Sequence, residues 1–310
     1  MKSLGLDCWT RYHHNAIIPP EEFPVLRWTI VILLLLWLAW AGASAGSTGE
    51  KPWEPITIEY HGQSFYIITT SKGKRIAFDP HAIPAYYPTG RIELKKSDII
   101  CISHNHTDHT RTEVIEKTKD QKILRGLKTL SLKSDWAVVN ETIGDIKIRT
   151  VGVYHDEQEG LLRGKNAVFI VEVDGWRIVN LGDLGHLLTP AQLKEIKKSG
   201  PIDVLMIPVG GIYTLNGAEA KKVVEQIKPK EYIFPMHYGT AVFEDILKVD
   251  EFLDDQPARN VVRLSDSEPD ATKRENTVQL NRDTQRPRPL IVQLHYWPKE
   301  EKKKEEKKKK

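Results

Sequence analysis

Two stretches in the second half of the chain constrain the fold most. "TPAQLKEIKKSG" and "NGAEAKKVVEQIKP" each read as a short helix. The first has Thr189 as its cap, Pro190 at the first helical position and a stop at Gly200. The second has Asn216 as its cap and Pro229 beyond its end. Each runs into a strand that is apolar along its whole length, "DVLMIPVGG" and "EYIFPMHYG". Strands of this kind are covered on both faces and are joined through crossover helices into a parallel array. The first half is built differently. Residues 56–60, 64–70 and 75–79 are short, β-branched or aromatic runs separated by tight turns, as in a hairpin series. Residues 121–124, 137–140, 146–153, 277–280 and 290–296 are further strand candidates, and "NAVFIVEVDGWRIVNLGD" reads as a hairpin turning at Asp174-Gly175. Parallel alternation beside antiparallel hairpins predicts an α/β sandwich of two mixed sheets with helices outside.

The apolar strand "SDIICISH" opens directly into a polar loop. In "SHNHTDH" four metal-capable side chains, His104, His106, Asp108 and His109, fall within six residues. Leaving a strand end at this spacing, His104 and His106 can grip one ion while Asp108 and His109 turn toward a second. Imidazole and carboxylate suit zinc, iron or manganese. Three further ligand types sit where predicted strands end: His155 after "IKIRTVGVY", Asp183 after "WRIVNLG" and His237 after "YIFPM". The C-terminal ends of strands are where α/β folds collect their sites. Cys101 lies inside the apolar strand and reads as packing. With only Cys8 besides, neither a disulfide framework nor a cysteine-rich zinc module is available.

The order His-x-His-x-Asp-His, then a distant His, Asp and His, resembles the metallo-β-lactamase superfamily. "GVYHDEQEGLLRGKNAVFIVEVDGWRIVNLGDLGHLLTPAQL", "IDVLMIPVGGIYTLNGAEA" and "IFPMHYGT" look like its general metal-dependent hydrolase branch, which contains ascorbate-phosphate lactonases. The resemblance spans residues 56–240 and implies a four-layer αβ/βα sandwich with two divalent metal ions at one edge, zinc first, manganese or iron otherwise. It places His104, His106 and His155 on one ion, Asp108, His109 and His237 on the other, and Asp183 between them. A water shared by the two ions would then attack an ester, lactone or phosphodiester bond. The catalytic candidates are Asp108, Asp183 and His186, the last as an outer hydrogen-bond donor, a proton carrier or a structural loop residue. Asp79 in "FDP" looks like a residue that orients a ligand histidine. His61 in "YHGQSF" departs from the order usual in this branch. Arg163, Lys165 and Asn166 read either as contacts for an anionic substrate or as a solvated loop.

Related activities narrow the expectation. Flavo-diiron oxidoreductases carry His-x-Glu where His106 stands. Dinuclear β-lactamases lack an aspartate at the position of Asp183. RNA-processing members need an inserted domain, for which residues 184–236 leave no room. Two alternatives stay open: a phospholipase D-like phosphodiesterase acting at a membrane, and a non-catalytic metal-binding scaffold.

The formal net charge of the 310 residues is +3, and the terminal "EKKKEEKKKK" itself holds a lysine surplus. The folded part is near neutral, which argues against a nucleic-acid partner and leaves a small-molecule or lipid substrate. "WTIVILLLLWLAWAGASAG", residues 28–46, is uncharged and near the length that spans a bilayer, and "ASA" at 43–45 fits a signal-peptidase site. Residues 1–45 are therefore expected to be a signal peptide or an anchor associating with the membrane through residues 28–45, which puts the catalytic domain outside the cytoplasm. Residues 46–55 read as a linker, 56–298 as the catalytic domain and 299–310 as a disordered charged tail. Oligomeric state is not legible.

Overall fold

A computed structural model describes residues 53–87, 90–131, 133–240, 243–263, 276–282 and 287–294. The expected signal or anchor segment and the charged tail lie outside these residues. Among the described residues no helix is long and apolar enough to cross a membrane.

Two mixed sheets make up the sandwich. The first contains β1 (Ile56–Tyr60), β2 (Tyr66–Thr69), β3 (Arg75–Phe78), β4 (Ile99–Ile102), β5 (Lys122–Arg125) and β13 (Thr277–Leu280), in the order β13-β1-β2-β3-β4-β5. Its first four members pair antiparallel, and β3, β4 and β5 run parallel. The second contains β6 (Asn140–Ile143), β7 (Ile146–Tyr154), β8 (Lys165–Val173), β9 (Trp176–Asn180), β10 (Val204–Pro208), β11 (Tyr232–Met236), β12 (Val261–Arg263) and β14 (Leu290–Gln293). Its order is β12-β14-β11-β10-β9-β8-β7-β6, antiparallel from β6 to β9 and parallel onward. This is the expected sandwich of two mixed sheets.

The core between the sheets is filled by alternating positions of both. Ile58, Phe78 and Cys101 from one side meet Phe169, Ile178 and Phe234 from the other. Phe78 and Phe169 touch edge to face at 6.3 Å, the arrangement their ring quadrupoles favour. Cys101 is fully buried, and burial pushes its thiol pKa well up, so it stays a packing residue. On the outer face of the second sheet lie α1 (Pro190–Ile196), α2 (Gly217–Ile227) and α3 (Asp250–Leu253). In α2, Ala220, Val223 and Ile227 form the buried stripe. Asn216 and Glu219 close a reciprocal capping box at its start, as Thr189 and Gln192 do for α1. The outer face of the first sheet is covered more thinly: Ile67, Ile100 and Ile102 pack under the 3-10 turn Thr112–Val114 and its neighbours rather than under an α-helix.

Some boundaries moved. The strand expected at 137–140 lies at Asn140–Ile143, because that segment pairs with Ile146–Tyr154 across a turn at Gly144, where φ is +65°. The helix expected to run to Gly200 ends at Ile196, and Gly200 serves the turn after it at φ +117°. The hairpin turn at Asp174-Gly175 has both residues at positive φ, as a two-residue turn matched to strand twist needs.

β7 and β9 flank the antiparallel β8 and so point the same way, and β10 and β11 continue in that direction. β3 and β4 are likewise parallel to each other. The segments after β7, β9 and β11 therefore leave from one edge of the second sheet, and those after β3 and β4 from one edge of the first. The two edges meet: the Ala167 N–H at the start of β8 donates to the Ser103 carbonyl just after β4, at 3.1 Å.

Candidate metal centre

The seven candidate ligands converge at this shared edge. His104, His106 and His155 form one group, and Asp108, His109, Asp183 and His237 a second; within each, the ligand atoms lie within 4.8 Å of one another. Asp183 links the two groups. Its Oδ2 is 3.8 Å from His104 Nε2, 3.3 Å from His155 Nε2, 3.1 Å from His109 Nε2 and 3.3 Å from His237 Nε2. Asp108 Oδ2 lies 3.5 Å from His109 Nε2 and 3.8 Å from His237 Nε2. His104, His109, His155, Asp183 and His237 are buried, whereas a third of the Asp108 side chain is exposed.

Electrostatics divides the histidines. Burial, reinforced by neighbouring imidazoles, lowers the pKa of His104 well below its ordinary value and that of His106 to about 4. Both are neutral near pH 7, the form in which imidazole binds a metal. For His109 and His237 burial acts in the same direction, but the charges and hydrogen bonds of Asp183 and Asp108 outweigh it and raise both pKa values. Burial opposes ionisation of Asp183 and Asp108, yet the adjacent histidines hold both carboxyls well below their usual range.

The donor set fits metal ions. Nδ1 of His155 and Nδ1 of His237 are buried without a hydrogen-bond partner, and the Nε2 atoms of His109 and His155 face only Asp183 and Asp108 oxygens, in poor hydrogen-bond geometry. Buried polar atoms in this state are rare and costly in a finished protein. Five imidazoles and two carboxylates are the donors that zinc, manganese or iron accept.

Surrounding residues aim the ligands. Asp79, buried at φ +45°, accepts the Ser103 N–H at 2.7 Å on Oδ1 and the Ser103 hydroxyl at 2.9 Å on Oδ2. The Ser103 Oγ lies 2.9 Å from His104 Nδ1, and Asp79 Oδ2 lies 3.3 Å from His109 Nδ1. In the neutral, metal-binding form of the two rings this network favours the proton on Nδ1 and would leave the Nε2 lone pair on the side of Asp183. The Ser64 hydroxyl donates to Asp183 Oδ1 at 3.3 Å, which leaves Oδ2 toward the histidines. The Gln63 carbonyl accepts the N–H of His237, whose own φ is +50°. Asn166 donates to the Leu181 carbonyl at 2.8 Å and accepts the Asp183 N–H at 3.3 Å.

Sequence reasoning missed Ser64, Gln63 and Ser103. The available signal was adjacency: Ser103 precedes His104, and Gln63 and Ser64 lie in the loop where only His61 drew notice. His61 itself is in neither group, its Nε2 being 3.4 Å from Glu59. His186 stands at the margin with both nitrogens engaged: Nδ1 donates to the Leu187 carbonyl and Nε2 accepts the Tyr154 N–H. That arrangement gives it a structural task. Asn166 is buried in the network above, Lys165 pairs with Asp135 over the Trp136 ring, and Arg163 donates to the Ile212 carbonyl. Of the three, Asn166 is thus buried, whereas the contacts of Lys165 and Arg163 lie at the surface.

Residues 57–237 match the β-lactamase superfamily domain. A UPF0173 metal-dependent hydrolase of Thermococcus onnurineus is 30% identical over 200 residues, covering 60% of this chain and 85% of the relative. Its counterpart in Thermococcus kodakarensis is 30% identical over 196 residues with the same coverage. Among solved structures, a protein of Thermotoga maritima designated a zinc-dependent hydrolase of the metallo-β-lactamase superfamily is 28% identical, with a TM-score of 0.54 over 77% of this chain and 98% of its own. The chain belongs to the β-lactamase superfamily, among its metal-dependent hydrolases.

Proposed function

We propose that each of the two groups would hold one divalent metal ion, with Asp183 facing both sites, and that the loaded protein hydrolyses an ester, lactone or phosphodiester bond. The observation that carries the reading is the position of Asp183 Oδ2, 3.1–3.8 Å from nitrogens of four histidines divided between both groups. The donor chemistry favours zinc, with manganese and iron as alternatives. Ions held there would supply acidification of a water and polarisation of the bond under attack. The residues of the chain do the positioning. Asp79 and Ser103 fix the tautomers of His109 and His104, Ser64 fixes the rotation of Asp183, and Gln63 holds the backbone of His237. Asp108 is the carboxylate of the set that reaches solvent, and it is placed to pass a proton outward.

Metal analysis of the reconstituted full-length protein tests the proposal, together with a hydrolysis panel of phosphodiesters, lactones, phospholipids and β-lactams. Two ions per chain are expected, and loss of activity in Asp183→Ala. Fewer than one ion per chain, or activity that survives Asp183→Ala on every substrate, refutes it. We further place the catalytic domain outside the cytoplasm, retained by or released from residues 28–45. The support is the uncharged run in the sequence, and cell fractionation with protease protection decides it.

A further inference from the structure

Beside His155 a cavity of about 250 Å³ opens between two loops, residues 156–164 and 210–216. Apolar Leu162, Ile212 and Tyr213 line it beside His155, and the rest of its wall is largely polar, with Asp156, Glu157, Glu219 and Arg163 among it. The three apolar side chains are substantially exposed, at 62%, 54% and 47%. Leu161 at 79% lies in the first loop, and Leu247 at 48% lies beside the second, with its N–H on the Gly210 carbonyl. Thus five of the eleven exposed large apolar side chains among the described residues belong to or touch these two loops. Exposed apolar residues scattered singly are ordinary, whereas a group rimming a site is a binding surface.

The loops that display these residues are firmly built. Asp156 accepts four backbone N–H groups, from Gln158, Gly160, Leu162 and Arg163, at 2.7–3.1 Å. Arg163 then ties the first loop to the second through the Ile212 carbonyl at 2.9 Å. Ile212 sits at φ +54°. A β-branched side chain is strained there, and glycine or asparagine would be comfortable. The chain keeps an exposed isoleucine at a strained position on the wall of a cavity that reaches a candidate ligand.

We infer that the substrate is amphiphilic: its scissile group lies at the metal centre and an acyl or alkyl chain lies along Leu162, Ile212 and Tyr213. This rests on the hydrolytic reading of the centre. The continuity of the cavity with His155 makes the occupant of the rim part of the substrate.

The test is a binding series with metal-free full-length protein, so that it stands apart from catalysis. Butanoate, hexanoate, octanoate and decanoate are titrated below their aggregation limits. A fully buried methylene is worth about fourfold in affinity, and an open rim shields part of each, so Kd is expected to fall at least about tenfold from butanoate to decanoate. In Leu162→Ser/Ile212→Ser, and separately in Tyr213→Ser, the gradient flattens to within about threefold. In Ile123→Ser, an exposed isoleucine of β5 paired with Ile100 of the outer-face cluster, it persists. These side chains are exposed, so the variants remove little core. A gradient absent from the wild type, or unchanged in both rim variants, overturns the inference. Failure of metal stoichiometry or of Asp183 dependence overturns the hydrolytic reading and leaves this series untouched. Sedimentation with phosphatidylcholine vesicles separates two sources of the same chain chemistry. Loss of pelleting in the rim variants relative to wild type assigns a bilayer lipid, and equal pelleting assigns a dissolved amphiphile.

Discussion

Asp79 gives the sharpest test of how the centre is organised, because one carboxylate serves a ligand in each group. It holds Ser103 through two hydrogen bonds, at 2.7 and 2.9 Å, and stands 3.3 Å from His109 Nδ1. Asp79→Ala removes both bonds and leaves the buried Ser103 N–H without an acceptor. Hydrogen bonds to a charged acceptor are worth about 1.5–3 kcal/mol each, so a loss of about 3–6 kcal/mol in folding stability is expected. Asp79→Asn is more informative. Its amide oxygen can still accept the Ser103 N–H, which limits the stability loss to about 1–2 kcal/mol. Its NH2, however, faces Ser103 Oγ and His109 Nδ1 as a donor. The His109 proton is then driven onto Nε2, the atom that faces Asp183, and the ring can no longer offer a lone pair there. Changes to groups that orient a metal ligand typically cost about 10- to 100-fold in affinity. Urea unfolding of the metal-free protein measures the first quantity, and zinc competition against a chelating dye measures the second. If Asp79→Asn binds two zinc ions with wild-type affinity, the tautomer argument is wrong, whatever its stability.

Other perturbations separate local from shared effects. A Cβ at Gly185 would lie 2.2 Å from the His155 carbonyl oxygen, and one at Gly210 would lie 2.1 Å from that of His237. Since backbone must shift in both, Gly185→Ala is expected to weaken the His104/His106/His155 group first and Gly210→Ala the other. Each should cost about 1–3 kcal/mol, read by stepwise metal titration and urea midpoints. If both variants weaken the same group, the assignment of the glycines fails. His81 reports on acid stability. It is fully buried, its Nε2 lies 3.0 Å from the His61 carbonyl, and burial lowers its pKa to about 4 from 6.5. The unfolded chain therefore takes up a proton before the folded one does. The contribution of neutral His81 is complete above pH 6.5 and is lost as pH falls toward 4, by up to about 3 kcal/mol. The urea midpoint should drop over this window in the wild type and less steeply in His81→Gln; equal slopes would remove His81 as the cause.

Much of this molecule is written in local pattern. The capped helices after Thr189 and Asn216, the Asp174-Gly175 turn and the apolar strands are decided by residues close in sequence, because capping, turn geometry and alternation are local effects. The ligand residues were legible for a related reason: they are the polar groups at the ends of apolar strands. One slip was itself local: the strand at Asn140–Ile143 is set by the hairpin it forms with Ile146–Arg149, three to nine positions on, around Gly144 at φ +65°. Elsewhere the deciding contact was distant, as in the thin cover over the first sheet, which follows from what packs on Ile100 and Ile102. The orienting residues were hidden more deeply still. Ser64 and Asp183 are 119 positions apart, and a serine in a loop carries no mark of the carboxylate it will meet. Sequence alone determined which atoms this protein has for metal chemistry and that strand ends would carry them. Only the tertiary structure decided that one oxygen of Asp183 stands among four of the histidines, and that Leu162 and Ile212 from two loops line a cavity beside His155. That geometry depends on two sheet edges meeting, which is a property of the packed sandwich and of no segment within it.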